Sequence, residues 1–596
     1  MTDKLPVSEW RVLWFSPNAG LWQISQLEHE LANGMAERGA QVTVIRCKGI
    51  FDDCCPTMQA NGLTLASSTV EKKSICKSCR RQEATMRSVA EYETVWIDDY
   101  LTEEMRQTVN LEMAVLEPSN WADVQREGIK VGVYATYLTL LIHKVPDITA
   151  TTESWNEYGS DLKDSLYVAG TLPRIFETVQ PTHCFVYDPL YPTNRIFTEM
   201  AIRNVEIQYV GVSVGGYIPD RYSTLALYRS IEASQTAVDS GTLLESMNVP
   251  LSELEIKLVA RHMYQLVQGV NAWVYSTPPS SQSIGEIRQS LGLKNDLPVS
   301  VVLVGSPDET RASKQVGAEF GRVPLDELTT VQEFIEQTLE VARDCPDINF
   351  VIRLHPRLAP NQREKLRSPD LDAIEKLLAH RPDNVFVNSP NDGIGLYDVA
   401  RIASFGINHA SSAGLEFLAI GIPVIHFDPP RLNAYPPGFG FQVNRSDQQG
   451  FLRAIAQAQQ TPISAANAVT AWRWYAVTLL RAITHKSWTT NPQLPTPSVS
   501  PKFQGLRNLV PATVRERISR NQSQRKRQRE FHQKENSRVQ SDWIDECIMR
   551  ISNFDNSTIW NPTAITRGTP LAASREAHLV FTEVEKMRVQ ISGTEN

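Results

Sequence analysis

Apolar residues fall along this chain in short unbroken runs rather than in strict alternation with polar ones. Runs of that kind belong to strands covered on both faces, as in a parallel α/β sheet. The first, WRVLWF at residues 10–15, is followed by the loop SPNAGLWQ, a helical pattern over residues 24–38, Gly39 and the run QVTVIRC. This β-loop-α-β order opens a doubly wound domain. Residues 81–113 read as helical, interrupted by TVWIDDYLTEE, and residues 129–142 as an apolar core element. A helix over residues 161–179 follows, then the strand HCFVYDP ending in Asp188, then a helix opened by Asn194 and Arg195. VEIQYVGVSV is a further strand closed by the glycine turn Gly215-Gly216, and residues 225–272 read as mostly helical.

TPPSSQS, within residues 276–294, marks a boundary between domains. The alternation restarts with VSVVLV at 299–304. The pattern then predicts an amphipathic helix over 331–343, a strand through Phe350, Val351 and Ile352, a helix over 370–380 and a strand over 385–387. Ile407 closes another apolar segment, His409 to Ser412 form a turn, 413–420 a helix stopped by Gly421, and 423–427 a strand. Beyond it lie the Pro-rich PPRLNAYPPGFGF and a helix over 465–487 carrying Trp472, Trp474 and Tyr475 beside Arg473, Arg481 and Lys486. Packing of this helix on the first domain is one expectation, and contact with a membrane surface the other. Residues 489–501 are a linker by composition, and residues 515–538 are too polar and basic for a core. The organisation expected is an N-terminal domain over 1–280, a second over 281–487, and a linker with a polar basic tail over 488–596.

A chain of 596 residues holds two or more domains, and 42% hydrophobic with 21% charged residues is ordinary for a globular protein. The formal net charge of -8 argues against a generic nucleic-acid binder, which needs a basic footprint. No basic start precedes an apolar core at the N-terminus, and no apolar run reaches the ~18 residues of a membrane span, so a cytoplasmic location is expected. In that setting the eight cysteines point to reduced thiols or a metal rather than disulfides. Cys76 and Cys79 form a Cys-x-x-Cys pair, with the adjacent Cys54 and Cys55 upstream. Two such pairs suit a structural zinc ion stapling the insertion over residues 47–81; a reduced or redox cluster is the alternative. The insertion reads as a loop, which Lys72, Lys73, Lys77, Arg80 and Arg81 make basic, either as a solvated face or to meet an anionic acceptor or lipid head group.

Two stretches carry candidate chemistry: VIRLHPRL, with Arg353, His355, Pro356 and Arg357, and FGINHASSAGLEFLAIGIPVIHF, with Ser411, Ser412 and Glu416. Serines at a helix start cap it, and also bind phosphate through hydroxyl and backbone donors. Gly305 after the 299–304 strand allows close backbone approach, Ser306 follows it, and Arg311 is suited to a phosphate. Taken singly, His355 reads equally as a strand-end histidine bonded to a neighbour, the serines as caps and Glu416 as a surface acid.

The pair His355-Pro356 and the pair Ser411-Ser412, followed by Glu416 and GIPVI, resemble the nucleotide-binding half of GT-B glycosyltransferases. More narrowly, they look like bacterial capsule-type transferases, Kdo and sialic acid transferases, and CDP-glycerol glycerophosphotransferases. The resemblance covers residues 297–427 well and residues 1–45 loosely. It implies two Rossmann-like domains facing a cleft, with the His-Pro and Ser-Ser pairs on the donor nucleotide and its phosphate. Glu416 would accept from ribose hydroxyls, and Gly305 and Ser306 would approach the nucleotide. Asn18 and Gly20, in the first loop, would face the acceptor and the donor sugar. No metal is required for catalysis where His, Arg and a helix dipole already neutralise the phosphate.

An inverting transferase takes its acceptor proton with a carboxylate or histidine of the first domain. Asp98 and Asp99 follow a short apolar run, Asp188 ends a strand, and His29 lies on the first helix, within an otherwise solvated Glu28-His29-Glu30 face. The activity this implies is transfer of a sugar from a nucleotide donor, with CMP-linked favoured, to a surface or capsular glycan or lipid-linked glycan. Peripheral membrane contact accompanies that reading. A CDP-glycerol-type phosphotransferase, a GT-B-fold epimerase and a non-catalytic scaffold are the alternatives.

Overall fold

The computed structural model describes residues 6–229, 231, 246–269, 275, 277–294, 296–318, 329–361, 365–427, 440–485, 541–552 and 568–592. The expected linker over 489–501, the basic stretch over 515–538 and most of the Pro-rich loop lie outside these residues. Among the described residues no helix is long and apolar enough to cross a membrane.

Thirteen strands are described, β1 Arg11–Phe15, β2 Gln41–Arg46, β3 Glu93–Trp96, β4 His183–Tyr187, β5 Gln208–Val214, β6 Thr224–Tyr228, β7 Val299–Val304, β8 Asn349–Arg353, β9 Val385–Asn388, β10 Phe405–His409, β11 Val424–Phe427, β12 Phe441–Val443 and β13 Ile483–His485. They make two sheets, ordered β13-β6-β5-β4-β1-β2-β3 and β12-β11-β10-β7-β8-β9. The second sheet is parallel throughout. In the first, β3 to β5 pair in parallel, while β6 and β13 are antiparallel additions at one edge. The apolar runs explain this: every residue of β7, and four of the five of β1 and of β8, are buried, as strands covered on both faces require. Each sheet starts from a central strand and reverses direction once, between β1 and β4 in the first and between β7 and β10 in the second. Open α/β sheets bind ligands beyond the carboxyl ends of strands at such switch points.

Helices cover both faces. Val331–Asp344 begins with a Thr330–Glu333 capping box and turns Phe334, Ile335 and Leu339 into the core beneath β7 and β8. In the first domain, helix Thr152–Val179 packs Leu162, Leu166, Leu172 and Ile175 beneath β1 and β4.

Several segments differ from the pattern reading. The Cys-x-x-Cys segment is no loop: Ser68 and Glu71 form a capping box that starts helix Thr69–Arg87. TVWIDDYLTEE supplies β3 and a 3-10 turn, Ile97–Tyr100, ahead of helix Glu103–Ala114. Residues 225–228, expected within a helical stretch, belong to β6, because Gly215-Gly216 turns the chain back for antiparallel pairing. His409 ends β10 rather than opening the turn. The helix expected over 465–487 runs over Ala465–Ala476, widens into a π-turn at Val477–Arg481 and ends in β13, inside the first domain's sheet. Trp472, Trp474 and Tyr475 are buried in the core, and Trp472 Nε1 donates to Ala419 O at 2.9 Å. Two late helices also belong to the folded body. Ser541–Ser552 packs Trp543, Ile544 and Cys547 on helix Trp22–Glu37, and Ala573–Ser592 packs on Ala465–Ala476 and Glu253–Gln268.

The domains touch directly. Helix Thr136–His143 of the first packs on Pro307–Gln315 of the second. The buried Lys144 ammonium donates to the backbone oxygens of Arg357 and of Leu366.

Candidate functional site

At the switch point of the second sheet the ends of β7, β8 and β10 surround a cavity of about 380 Å³. Gly305, just past β7, makes this convergence possible. A Cβ there would stand 2.8 Å from the Ala410 carbonyl oxygen, so only glycine lets the two strand ends meet. Ala410 itself holds φ +53, an uncommon conformation for a residue with a side chain. Arg353, His355, Pro356, Ser411, Ser412 and Glu416 all line this cavity. The opposite wall comes from the first domain: Gly216, Ile218 and Arg221, which follow β5.

Each polar lining group has a defined state. His355 Nδ1 accepts from the Arg357 backbone N–H at 3.2 Å, which leaves Nε2 as the protonated nitrogen of a neutral ring. The ring meets Tyr275 edge-on, with centroids 5.6 Å apart. Arg353 is held by Asn388 Oδ1 and by the Ile394 carbonyl oxygen at 3.1 Å. Burial lowers its pKa to about 10, so it remains a cation at neutral pH. Ser411 Oγ accepts from Ala413 N at 3.4 Å, while Ser412 precedes helix Ala413–Ala419 without making a side-chain cap bond. Tyr397 Oη donates to Glu416 Oε2 at 2.5 Å. Burial raises the Glu416 pKa to about 7, against the opposing effects of Tyr397 and the Arg353 charge. Since this exceeds the ordinary 4.5, protonation favours the folded state, and stability falls as pH rises from about 4.5 to 7. Glu416→Gln is therefore expected to stabilise by about 1–3 kcal/mol at pH 8 and by little at pH 4, as read from urea midpoints at the two pH values.

The other expected donor-site residues are engaged elsewhere. Ser306 Oγ bonds Asp308. Arg357, carried off by the 3-10 turn Pro356–Leu358, forms a buried ion pair with Asp308 and donates to Leu141 O at 3.2 Å. Arg311 pairs with Asp370 at 2.7 Å and donates to Val145 O at 3.2 Å. These arginines join the domains through backbone oxygens of the first, and neither lines the cavity.

The first-domain candidates separate clearly. Asp188 stands at the carboxyl end of β4, at that sheet's own switch point, with φ +35. Asn194 Nδ2 fixes this turn through the Tyr187 and Asp188 carbonyl oxygens. Burial raises the Asp188 carboxyl to about 6, although it accepts from Leu190 N at 3.3 Å. Asp98 and Asp99 follow the edge strand β3, far along the sheet order from the switch point. Asp98 accepts from Lys48 N at 2.7 Å and Asp99 pairs with Lys48 Nζ at 2.6 Å. His29 is buried, its Nδ1 2.8 Å from Tyr92 Oη. Beside it Glu28 accepts from Ser16 Oγ at 2.6 Å and Trp14 Nε1 at 3.1 Å, so this face is interior rather than solvated. The groups that enclose it come from the end of β1 and from Tyr92, just ahead of β3.

Asn18 accepts a turn bond from Leu21 N at 2.9 Å. Gly20 is buried beneath the cysteine insertion: its N–H donates to Cys79 Sγ at 3.1 Å, and a Cβ there would lie 2.4 Å from Thr57. Neither residue lines the cavity. Cys76 and Cys79 lie one turn apart on their helix, Cys55 precedes helix Pro56–Ala60, and Cys54 Sγ contacts Leu63 O at 3.6 Å. Burial pushes the Cys54 thiol up to about 11 and Cys55 to about 12, and it also raises Cys76 and Cys79. Among the described residues no group of three or more His, Cys, Asp or Glu is placed to hold a metal ion. The pattern reading stopped at the Gly215-Gly216 turn and missed Arg221 beyond it. It also passed over Tyr397, whose LYDVA context reads only as a helix.

Two doubly wound domains thus face each other across the cavity, with the late helix Ser541–Ser552 returning to the first. The fold is GT-B. No protein-family profile matches the chain, and no curated protein sequence does. Solved structures with a related fold include a sucrose-phosphate synthase from Thermosynechococcus elongatus, at 11% identity over 79% of this chain and 95% of that one, with a TM-score of 0.28. The KpsC beta Kdo 2,7 transferase of Thermosulfurimonas dismutans is 13% identical over 54% of this chain and 83% of that one, with a TM-score of 0.30. A UDP-GlcNAc 2-epimerase from Neisseria meningitidis is 10% identical over 79% and 99%, with a TM-score of 0.25. At these scores the fold assignment stands on the sheet order and the facing domains.

Proposed function

We propose that this GT-B chain is a glycosyltransferase that moves a sugar from a nucleotide-linked donor, held by the second domain, to a hydroxyl presented by the first. The observation that carries this reading is the convergence of His355, Ser411, Ser412, Arg353 and Glu416 on one cavity at the second sheet's switch point. His355 Nε2–H and the serine hydroxyls donate to the donor phosphate as negative charge develops on it, and Arg353 supplies a fixed cation. Glu416 accepts from ribose hydroxyls. Asp188, at the first domain's switch point and outside the lining of that cavity, takes the acceptor proton. The acceptor oxygen then attacks the anomeric carbon, the bond to the donor phosphate breaks with its electron pair on the phosphate, and the configuration inverts.

The resemblance of the His-Pro and Ser-Ser pairs favours a CMP-linked donor and a surface or lipid-linked glycan acceptor, used at the cytoplasmic face of a membrane. Incubating the purified chain with CMP-, UDP- and GDP-linked sugars and following nucleotide release tests the activity. Release from one donor class is expected, reduced roughly 10²–10³-fold in His355→Ala with circular dichroism unchanged. Equal release by both proteins would refute the assigned role of His355 and with it the donor site.

A further inference from the structure

The charge in the cavity is unevenly shared between its two walls. On the second-domain wall, His355 is neutral and the serines carry no charge. The Arg353 cation is offset by Asp398, Glu416 and Asp392, all of which stabilise its charged form. A donor phosphate brings at least one negative charge into this space. Among the described residues the further cation lining it is Arg221, and Arg221 belongs to the other domain.

Its backbone is firmly placed. Arg221 lies in the 3-10 turn Ile218–Ser223 between β5 and β6, and Thr224 Oγ1 donates to its carbonyl oxygen at 2.8 Å. The neighbouring carboxylate, Asp220, is engaged by Arg261 at 3.3 Å and by His485 at 3.7 Å. The Arg221 charge also reaches the phenols of Tyr187 and Tyr191, which flank Asp188. It thus stands between the second-domain cavity and the carboxylate at the first domain's switch point. A guanidinium is planar and matches phosphate oxygens two at a time, which an ammonium does not.

We infer that Arg221 grips the donor phosphate from the wall opposite His355 and Ser412, so that the bound donor ties the two domains together across the cleft. This inference rests on the donor-site reading above, and the test separates the two. The full chain, Arg221→Ala, Arg221→Gln and Arg221→Lys are titrated calorimetrically with CMP, CDP, UDP and GDP, and with the nucleoside of whichever of these the wild type binds. The wild type binds at least one nucleotide. Arg221→Ala and Arg221→Gln weaken it roughly 10- to 100-fold, and Arg221→Lys recovers part of the loss. Affinity for the parent nucleoside stays the same in all four proteins, a result that a merely structural role for Arg221 does not give. Unchanged nucleotide affinity in Arg221→Gln, or an equal loss for nucleoside and nucleotide, overturns the inference while leaving the donor site standing. Failure of the wild type to bind any of the nucleotides overturns the donor-site reading, and this inference with it.

Discussion

Asp188→Asn is expected to lose sugar transfer by roughly 10³–10⁴-fold while making the protein more stable at neutral pH. The two effects share one cause. Burial lifts the Asp188 carboxyl to about 6, which suits a group that must take a proton near neutral pH. The ordinary value is 3.8, so the folded state holds the proton more tightly than the unfolded chain. Stability from this residue therefore falls as pH rises from about 4 to 6, and above pH 6 the folded protein carries the full cost of a buried charge. Asparagine keeps the shape and tolerates the positive φ of 35° better than most side chains, so the substitution removes charge without adding strain. A gain of about 1–3 kcal/mol at pH 7 is expected from urea unfolding, with little gain at pH 4. In the wild type, kcat/KM should rise with pH through about 6, and that limb should vanish in Asp188→Asn. A variant that keeps its activity, or keeps the limb, would remove Asp188 from the chemistry.

The second large effect concerns an ion pair outside the cavity lining. Glu255→Ala is expected to destabilise by about 3–5 kcal/mol, enough to unfold a marginal domain at 37 °C. Arg481 and Glu255 are both fully buried, bonded at 2.8 Å through Nε and 3.0 Å through Nη2. Arg481 also donates to Ser246 O at 2.6 Å, and its own carbonyl oxygen accepts from Arg550 at 2.9 Å. Removing Glu255 leaves an uncompensated guanidinium in the core and deletes the partner of the Ser252 cap. Replacing both members with apolar side chains, Glu255→Leu with Arg481→Met, should cost less than the single change, because no buried charge remains. Urea midpoints of the three proteins measure this. A single variant as stable as the wild type would contradict the role given to the pair.

The two doubly wound domains were legible because β1, β7 and β8 are unbroken apolar runs, and only strands covered on both faces tolerate such runs. The antiparallel strands of the first sheet were not. β6 and β13 join through antiparallel pairing between residues more than 250 positions apart, which no local pattern encodes. The burial of Glu28 and His29 rests on Ser16 and Trp14 before them and on Tyr92, 63 positions after His29, and was equally invisible. The insertion was misread for a different reason. Cysteine spacing suggested a loop, although Ser68-x-x-Glu71 was already a helix start.

Within the site, the His-Pro and Ser-Ser pairs and Glu416 could be placed together because strand ends at a switch point converge. The arginines beside them could not be sorted. Arg353 lines the cavity, whereas Arg357, four residues on, turns back to Asp308. A sequence shows that a cation is present but not which carboxylate it meets. Arg221 was missed because it reaches the cavity from the other domain.

The claim on which everything here depends is that the second domain's cavity holds a nucleotide. A thermal-shift screen of wild type and His355→Ala against CMP, CDP, UDP, GDP and ADP tests it directly. One nucleotide, at ~100 times its dissociation constant, should stabilise the wild type by about 2.7 kcal/mol and leave His355→Ala almost unmoved. No shift with any nucleotide, or the same shift in both proteins, would contradict the donor site.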